Sequence, residues 1–467
     1  MTENKEKSFL HILLTLALPI AIQNLLTSSF TLVDTLMVGS LGDVPLAAVG
    51  MAGQWSWLLN MITFGICSGA SVFFAQYFGE KNKRGIVHTY GLSLALGLAV
   101  AFFFMLVGLF LPEGVIRIFN REPAVVSAGT QYLKIAVFSY PAILLNMLIN
   151  TVLRSTGRVR LPMVVSFFTT ILNAILDYGL IFGAFGLPRL GISGAAIATV
   201  ISAWSGPVII FTITAFMKDE IFFAPIKELF GFSKSFSVSF LKKAAPVVLN
   251  ETLWGLGTVI YSVIFSNMGY EYSAAVSVFR TFENIALAFL IGLINAASVI
   301  VGQDIGSGNL RSSLKNAARF MVAVPVLSLF IGSLFIIFRT PLVSFFDFGG
   351  NLSEKTLSAA RAIFVVSGIE LAIRNVPYVA ICGVFRAGGD TKTGTKYELV
   401  TLWAISVPMT FLAAFVIKLP FIAVFTCSLL CEDVLKSILC LKHYKSNRWI
   451  KPVTDTGKKA LEEYLSN

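Results

Sequence analysis

The chain has 467 residues, of which 56% are hydrophobic and 13% are charged, whereas soluble domains carry about 25% charged residues. This composition excludes an ordinary soluble protein and indicates a polytopic membrane protein. The apolar stretches are about 20–27 residues long, which suits helices and excludes the shorter strands of a barrel. The net charge of +11 comes from basic residues in alternate loops, such as 154–160 and 386–396. It therefore predicts an orientation in the membrane and not nucleic-acid binding.

Twelve apolar segments follow one another along the chain and predict twelve transmembrane helices. The first six lie at about residues 10–36, 46–74, 89–111, 126–152, 162–184 and 192–216. The second six lie at about residues 244–267, 273–302, 317–338, 357–382, 397–416 and 420–441. The first segment is longer than the apolar core of a signal peptide and lacks a clear cleavage site, so we expect it to remain in the protein.

The two sets of six segments resemble each other in sequence. Pro19, which is expected to kink the first helix, corresponds to Pro246 in the seventh. Three further pairs of stretches correspond at a nearly constant spacing: LAAVGMA and SAAVSVF, AQYFGEKNKRG and GQDIGSGNLRS, and VLRSTGRVR and VFRAGGDTK. Because each set has six spans, both sets enter the membrane from the same side. The repeat is therefore parallel, with a pseudo-two-fold axis along the membrane normal and a cleft between the halves.

This repeat predicts four parts of the chain. They are an amino-terminal lobe at 1–217, a linker at 218–242, a carboxy-terminal lobe at 243–441 and a polar tail at 442–467. The linker is rich in Phe and Lys and is expected to lie at the cytoplasmic interface. The even number of spans and the positions of the basic residues predict a multi-pass protein of the plasma (inner) membrane with both termini in the cytoplasm.

Three acids lie in apolar segments that contain no basic residue: Asp34, Asp177 and Glu251. An acid at the centre of a membrane helix costs about 2.5–3.5 kcal/mol on insertion scales, and it is retained mainly where it binds an ion, a proton or a cationic substrate. The helical rise places Asp177 about 22 Å from the cytoplasmic end of its segment and Thr199 about 10 Å from the outer end of the next. Asn173 lies one turn from Asp177 on the same face.

We therefore predict one buried site at Asp34, Asn173, Asp177 and Thr199, with Glu251 as a second acidic candidate. Carboxylate, amide and hydroxyl oxygens are hard ligands that suit a small cation such as Na⁺, and two neighbouring buried acids would share a proton. The coupling ion is thus expected to be H⁺ or Na⁺, with no other cofactor. The simpler alternative is that each acid is neutral and hydrogen-bonded to a neighbouring helix.

Other charges in the apolar segments have a partner on their own helix. Arg280 and Glu283 are three residues apart, and Glu370 and Arg374 are four apart, so each pair shares a helix face. One interpretation is an ion pair that lowers the cost of insertion. The other is that these residues, together with Asn375, line the cleft.

The last apolar segment carries a further charged group. Glu432 and Asp433 lie about one turn before Lys436, which again favours pairing within the helix. Cys427 and Cys431 are four residues apart in the same segment, but no His or further Cys accompanies them. Packing in the core is therefore favoured over metal binding.

Enzyme chemistry has little support in the sequence. No G-x-x-x-x-G-K-[ST] motif for nucleotide phosphates is present, and the three His residues are far apart. The G-x-x-x-G runs at Gly65–Gly69 and Gly302–Gly306 favour close helix packing. An intramembrane enzyme acting on lipids is expected to have Asp-rich or His-rich loops at the interface, and none is evident. A passive channel does not require two lobes with buried acids.

Several motifs together resemble those of the multidrug and toxic compound extrusion (MATE) transporters. They are Pro19 followed by VDTLMVGSLG in the first segment, NAILDYGLIFG in the fifth, GISGAAIAT in the sixth, and LRSTG and FRAGGDTK after the fourth and tenth. The resemblance covers residues 10–441 and implies twelve helices in two lobes with a V-shaped cleft. It also implies antiport of H⁺ or Na⁺ against organic cations.

The resemblance assigns the family's amino-lobe cation site to Asp34, Asn173, Asp177 and Thr199. Some relatives have an acidic site in the other lobe, where this chain departs from the pattern. Its Glu251 lies about one turn closer to the proline than expected, and the acid of the tenth segment is replaced by Asn375. Coupling through the amino-terminal lobe is therefore favoured.

The sequence thus predicts a monomeric secondary transporter that exports amphipathic, mostly cationic small molecules across the lipid bilayer by alternating access. A lipid-linked sugar flippase of the same superfamily is the alternative. Such a protein is expected to have additional spans and a basic cleft, which twelve spans and unpaired acids do not favour. Arg280 is a residue that argues against a purely cation-selective cleft.

Overall fold

A computed structural model describes residues 13–346 and 352–466, and in these ranges the chain is helical without a β-strand. After a π-helical turn at Leu13–Ala17, twelve long helices follow, numbered α1 to α12. They are Leu18–Gly39, Asp43–Gly79, Lys83–Phe110, Pro123–Ser155, Arg160–Phe182, Ile192–Phe216, Lys234–Met268, Tyr270–Gly306, Leu310–Ile337, Glu354–Gly388, Thr391–Val416 and Phe421–Lys445. A last helix, α13, spans Asp455–Ser466 in the tail.

Ten helices of the described chain, α2 to α11, are long and apolar enough to cross a membrane. The last of the twelve helices, α12, carries Glu432, Asp433 and Lys436 within its apolar stretch. The prediction of an all-α polytopic membrane protein is confirmed. Each of the twelve predicted segments falls on one of the twelve long helices.

The sequence repeat has a structural counterpart at the starts of α3 and α9. Asn82 Oδ1 accepts a hydrogen bond from the N–H of Gly85 at 2.9 Å, and Asn309 Oδ1 accepts one from the N–H of Ser312 at 3.1 Å. Both asparagines occupy the N-cap position, where a side-chain oxygen satisfies a backbone donor that the helix leaves open. They are also equivalent positions of AQYFGEKNKRG and GQDIGSGNLRS, so the two stretches fold alike.

The turns after α4 and α10 are equivalent as well. Gly157 and Gly389 both have positive φ, at 77° and 87°, a conformation that glycine adopts without steric cost. In each turn the next N–H returns to a carbonyl oxygen of the preceding helix, at 2.7 Å for Arg158 and 2.8 Å for Asp390. The repeat predicted from VLRSTGRVR and VFRAGGDTK is therefore confirmed at the level of the backbone.

The chain forms two compact units. The amino-terminal unit contains Ile22–Phe74 and Asn82–Val248, and the carboxy-terminal unit contains the described residues before Ile22, Ala75–Lys81 and Leu249–Asn467. The boundaries thus fall inside α1, at the end of α2 and inside α7. The sequence, by contrast, suggested a division at the linker 218–242.

The linker packs within the amino-terminal unit. Asp219 forms an ion pair with Arg158 after α4, and the Phe222 ring meets the Tyr90 ring of α3 edge-on at 5.5 Å. A short helix at Ile226–Leu229 precedes α7. These contacts explain why the linker belongs to the amino-terminal unit.

Two glycines of equivalent sequence position make reciprocal close contacts inside the carboxy-terminal unit. A Cβ atom added to Gly79 would lie 2.0 Å from the carbonyl oxygen of Gln303, and one added to Gly306 would lie 1.9 Å from that of Gln76. Gly302 of the same G-x-x-x-G run would meet the Cβ of Ala75 at 2.8 Å. The sequence interpretation of this run as a close-packing motif is therefore confirmed.

Replacing Gly306 with Ala is expected to destabilise the protein by about 1–3 kcal/mol, because backbone atoms have to move to admit the methyl group. The melting temperature of the purified protein in detergent measures this effect. Gly53→Ala is the matched control, since it lies in a helix and an added Cβ meets no atom within 4 Å. That control is expected to be neutral or to stabilise by up to about 1 kcal/mol. Equal melting temperatures for the two variants would contradict the packing argument.

The tail is bound to the end of α2 and to the turn after α10, all within the carboxy-terminal unit. The buried Gln76 donates from Nε2 to the carbonyl of Ala387 at 2.7 Å and accepts at Oε1 from the N–H of Val453 at 2.7 Å. The N–H of Lys451 donates to the carbonyl of Gly388 at 2.7 Å. One side chain thus joins three parts of the chain that are far apart in sequence.

Asp390, in the turn between α10 and α11, adds an ionic contact to the tail. Its carboxylate accepts hydrogen bonds from Lys451 at 2.9 Å and from His443 at 2.8 Å. Burial disfavours the charged carboxylate, but hydrogen bonds from Lys451, Thr393 and His443 outweigh burial and lower the pKa of Asp390. Asp390 is therefore charged at neutral pH, and the stability it contributes is lost only as the pH falls through its lowered pKa.

Candidate functional site

The two acids predicted to form a site meet in the amino-terminal unit. Asp34 of α1 and Asp177 of α5 place their carboxyl groups within hydrogen-bonding range of each other. Asp177 is only 1% exposed. Both of its oxygens, and Oδ1 of Asp34, are buried and receive no hydrogen bond from the described chain. Such a pair is satisfied when one proton lies between the carboxyls or when a cation binds them.

A second contact shows why these two acids are brought together. Gln23 of α1 donates from Nε2 to the hydroxyl of Ser166 in α5 at 2.7 Å. The step from Gln23 to Asp34 equals the step from Ser166 to Asp177, and it corresponds to about three helical turns. Two helices that run in parallel in this register therefore present both polar pairs on the same faces.

Arg154, at the end of α4, also binds Gln23. Its Nη2 donates to Gln23 Oε1 at 2.5 Å, and Gln23 is 4% exposed. Arg154 is half-buried, whereas the sequence placed it among the basic residues of a loop. The guanidinium thereby fixes the amide that holds α1 against α5.

The remaining predicted site residues are also near the acid pair, and the structure adds one more. Thr199 of α6 donates its hydroxyl to the carbonyl of Ala195 at 2.9 Å. The hydroxyl of Tyr132, from α4, lies beside the hydroxyl of Thr199 and close to both acids. Asn173 is half-buried one turn before Asp177 on α5. Tyr132 had no signal in the sequence, because a tyrosine in an apolar helix has no distinctive spacing.

A small hydrophobic cluster closes one side of the acid pair. Val38, Ile181 and Ala195 are at most 1% exposed and pack together. Each lies one helical turn from Asp34, Asp177 or Thr199, respectively. Tyr132 packs against the same cluster through its ring. The cluster places apolar side chains one turn from each of these polar residues, and an apolar surrounding strengthens charge interactions.

Pro19 lies outside this group of residues. It is the second residue of α1, which directly follows the π-helical turn Leu13–Ala17. Proline has no N–H to donate to the carbonyl four residues earlier, which accounts for irregular helix geometry at this point. Pro19 belongs to the carboxy-terminal unit, and Asp34, on the same helix, belongs to the amino-terminal unit.

Glu251 has an ionic partner that the sequence did not reveal. It forms a salt bridge with Arg386 at the end of α10, and the two side chains are 12% and 4% exposed. The placement of Arg386 in an exposed loop was therefore wrong, and Glu251 is not an unpaired acid. A partner on another helix cannot be recognised from spacing within one helix.

In α8 and α10 the closest ionic contact joins the two helices and is not one of the predicted same-helix pairs. Arg374 of α10 forms its salt bridge with Glu283 of α8, and Arg280 donates to the hydroxyl of Ser262 at 3.1 Å. Where two helices pack, a side chain on the neighbouring helix can lie closer than a side chain one turn away on the same helix. Glu370 is left in contact with α12.

The sequence also singled out a pairing in α12 and Asn375 in the interior of α10. Lys436 is 2.7 Å from Glu432, so this pairing is confirmed, and it is also 3.1 Å from Glu398 of α11. Asn375 is fully buried, and its Nδ2 donates to the carbonyl of Leu371 at 2.7 Å. This contact lies within α10.

The MatE family model matches residues 19–179 and 246–412, two segments that begin at the paired prolines. The probable multidrug resistance protein NorM of Thermotoga maritima is 25% identical over 96% of this chain and 95% of its own length. The probable multidrug resistance protein YoeA of Bacillus subtilis is 26% identical over 87% of each chain.

Solved structures show the same fold. A MATE crystal structure in a bent conformation aligns with a TM-score of 0.85 and 16% identity, covering 98% of this chain and 97% of that one. An outward-facing multidrug resistance MATE transporter aligns with a TM-score of 0.84 and 17% identity, covering 93% and 95%. The chain is therefore a multi-pass membrane transporter of the MatE family and not an enzyme.

Proposed function

We propose that this protein exports amphipathic, mostly cationic organic compounds from the cytoplasm in exchange for protons. The observation that supports the proposal is the carboxyl pair Asp34–Asp177, in which both oxygens of Asp177 and Oδ1 of Asp34 are buried without a hydrogen-bond donor in the described chain. One proton shared by the pair removes the cost of two adjacent buried charges. Relatives named multidrug resistance proteins support the class of substrate.

The coupling follows from the position of the pair. When the pair holds one proton, the two carboxyls share a single negative charge at the contact between α1 and α5. When the proton leaves, two negative charges repel each other across this contact. A substrate that favours one of these two arrangements changes the proton affinity, and the proton changes the substrate affinity by the same factor. The protein is proposed to act as a monomer in the plasma membrane with both termini in the cytoplasm.

Sodium is the rival coupling ion. The hydroxyls of Thr199 and Tyr132 and the amide of Asn173 would supply further oxygen ligands beside the two carboxylates. The contact between the two carboxyl groups nevertheless favours the proton. A proton fits between two touching carboxyls, whereas Na⁺ would have to push them apart to bind between them.

Ethidium uptake into inverted vesicles tests the proposal, with a proton gradient and a Na⁺ gradient imposed separately on the wild-type protein. Transport driven by the proton gradient alone is expected. Transport driven only by Na⁺ would retain the export function but replace the ion. Absence of ethidium transport under either gradient would contradict multidrug export and favour the flippase alternative.

A further inference from the structure

Arg280 of α8 is a positively charged residue inside the membrane-spanning part of the carboxy-terminal unit. It lies one turn before Glu283 on the same helix, and Glu283 forms its salt bridge with Arg374 of α10. By helical rise, Arg374 lies about 30 Å from the start of α10 and about 21 Å from its end. Arg280 is therefore close to the middle of the spans, where a charged side chain is costly and is retained mainly for a function.

The described chain leaves the charge of Arg280 without an acid of its own. Its Nη2 donates to the hydroxyl of Ser262 in α7 at 3.1 Å, and no carboxylate of the described residues lies within salt-bridge distance of it. Glu283 attracts the guanidinium but is bound to Arg374, and Arg374 in turn repels it. Because these two effects oppose each other, Arg280 keeps a positive charge that a ligand can neutralise.

The side chains beside Arg280 form an exposed polar face on an apolar helix. Ser277 lies three residues before it and Asn284 four residues after it, and all three side chains are exposed. This spacing puts them on one face of α8. A face that contacts lipid at this depth would be apolar, because a charge in hydrocarbon is costly. The face, here called the Arg280 face and completed by Ser262 of α7, is therefore open to water and to dissolved molecules.

The donors of the Arg280 face suit a carboxylate. A guanidinium presents planar N–H donors in a fork that matches the two oxygens of a carboxylate. Ser262 donates its own proton to the carbonyl of Thr258 at 2.9 Å, so its oxygen accepts from Arg280 and holds one end of the fork in place. The remaining N–H groups of Arg280 and the amide N–H groups of Asn284 are available as donors, since both side chains are exposed.

Apolar side chains lie next to the polar ones on both helices. Val263 follows Ser262 on α7, Ile285 follows Asn284 on α8, and both apolar side chains are exposed. Sites for small molecules combine apolar surface with a few polar groups that fix the orientation of the ligand. The Arg280 face has this composition, with apolar contacts for the body of an amphipathic compound and a guanidinium for its charged group.

We propose that Arg280 binds a carboxylate of the transported compound and thereby determines which compounds this protein prefers, a role that rests on the proposed function. The preferred compounds carry a carboxylate in addition to any cationic group. The carboxylate supplies the counter-charge that Arg280 lacks within the described chain. A lipid phosphate is the other source of negative charge, but headgroups lie at the bilayer surface, whereas Arg280 is close to the middle of the spans.

Fluorescence anisotropy of two matched dyes, bound to the purified full-length protein in detergent, tests the contact. One dye is a rhodamine with a free carboxylate and the other is its methyl ester, so only the acid can pair with Arg280. Arg280→Gln is expected to weaken binding of the acid about tenfold, the lower end of what a hydrogen bond to a charged group contributes, and to leave binding of the ester unchanged. Arg280→Lys keeps the charge but not the fork, so its affinity for the acid is expected to be intermediate.

Two controls complete the binding test. Arg339→Gln removes the same charge from an exposed arginine that donates to the carbonyl of Ile336 at 2.7 Å, and it is expected to bind both dyes as wild type does. Added phosphatidylglycerol is expected not to displace the acid. Displacement that is lost in Arg280→Gln would assign Arg280 to a lipid phosphate and overturn the proposal.

Transport of the same dyes tests whether the contact selects substrates. In proteoliposomes of phosphatidylcholine under a proton gradient, Arg280→Gln is expected to raise KM for the acid about tenfold and to leave its kcat and the transport of the ester unchanged. Equal changes for the acid and the ester would show that Arg280 is structural, and no change for either would show that its face binds no carboxylate; both results overturn the proposal. Absence of transport of either dye by wild type would contradict the proposed function, and the binding result would still decide whether Arg280 pairs with a carboxylate.

Discussion

Proton-driven ethidium efflux is expected to be lost in Asp177→Asn, to the rate of protein-free vesicles. The amide cannot release a proton, so proton binding no longer differs between the two states of the transporter. Coupling between two ligands typically changes the affinity for each by about 5–150-fold. Because Asp177→Asn removes the exchangeable proton of the pair, we expect a loss near the upper end of this range. Ethidium uptake into inverted vesicles under an imposed proton gradient measures this loss.

Two further variants show whether the charge or the fold is responsible. Asp177→Glu keeps the titratable group and is expected to retain part of the transport. Asp43→Asn is the control, because Asp43 is an exposed acid at the start of α2. Tyr132→Phe removes the hydroxyl beside Thr199 and both acids, and it is expected to weaken coupling without abolishing it. Normal proton-driven efflux by Asp177→Asn would show that the coupling acid lies elsewhere.

Replacing Arg386 with Met is expected to cause a large loss of stability in the carboxy-terminal unit. Removal of one partner of a buried ion pair costs about 3–5 kcal/mol, because the other charge stays buried without compensation. Here that charge is Glu251, whose side chain is 12% exposed. The free energy of unfolding, measured by detergent denaturation of the purified protein, gives the size of the effect.

The double variant Glu251→Met with Arg386→Met distinguishes the effect of the unpaired charge from the effect of changed packing. It is expected to recover most of the stability, since no unpaired charge remains. Arg154→Met is the matched comparison in the amino-terminal unit, because the repeat places it in the position of Arg386 and its partner is the neutral amide of Gln23. That loss is expected to be smaller, about 1–3 kcal/mol. Equal losses for the two arginines would contradict the ionic argument.

The helices and the repeat could be predicted because they depend on local patterns. Apolar segments of span length locate each helix, and the paired stretches predict equivalent caps at Asn82 and Asn309. The proximity of Asp34 and Asp177 could be predicted because helical rise converts sequence position into depth. These inferences need no knowledge of which helix packs against which.

The partners across helices could not be predicted for the opposite reason. Arg374 has an acid one turn away in its own helix, yet it pairs with Glu283 of α8. Arg386 looks like part of a basic loop, yet it is buried against Glu251. Tyr132 is one of many aromatic residues in apolar helices. In each case the decisive fact is the packing of two helices, which the spacing of residues within one helix does not encode.

The tail contact has a consequence for the order in which the protein is made. Gln76 is completely buried, and its two side-chain partners are the carbonyl of Ala387 and the N–H of Val453, the latter 377 residues downstream. At a synthesis rate of about 5–20 residues per second, the ribosome supplies Val453 roughly 20–75 s after Gln76. The carboxy-terminal unit therefore closes only when nearly the whole chain has emerged, so insertion of α2 and completion of its packing are separate events in biogenesis.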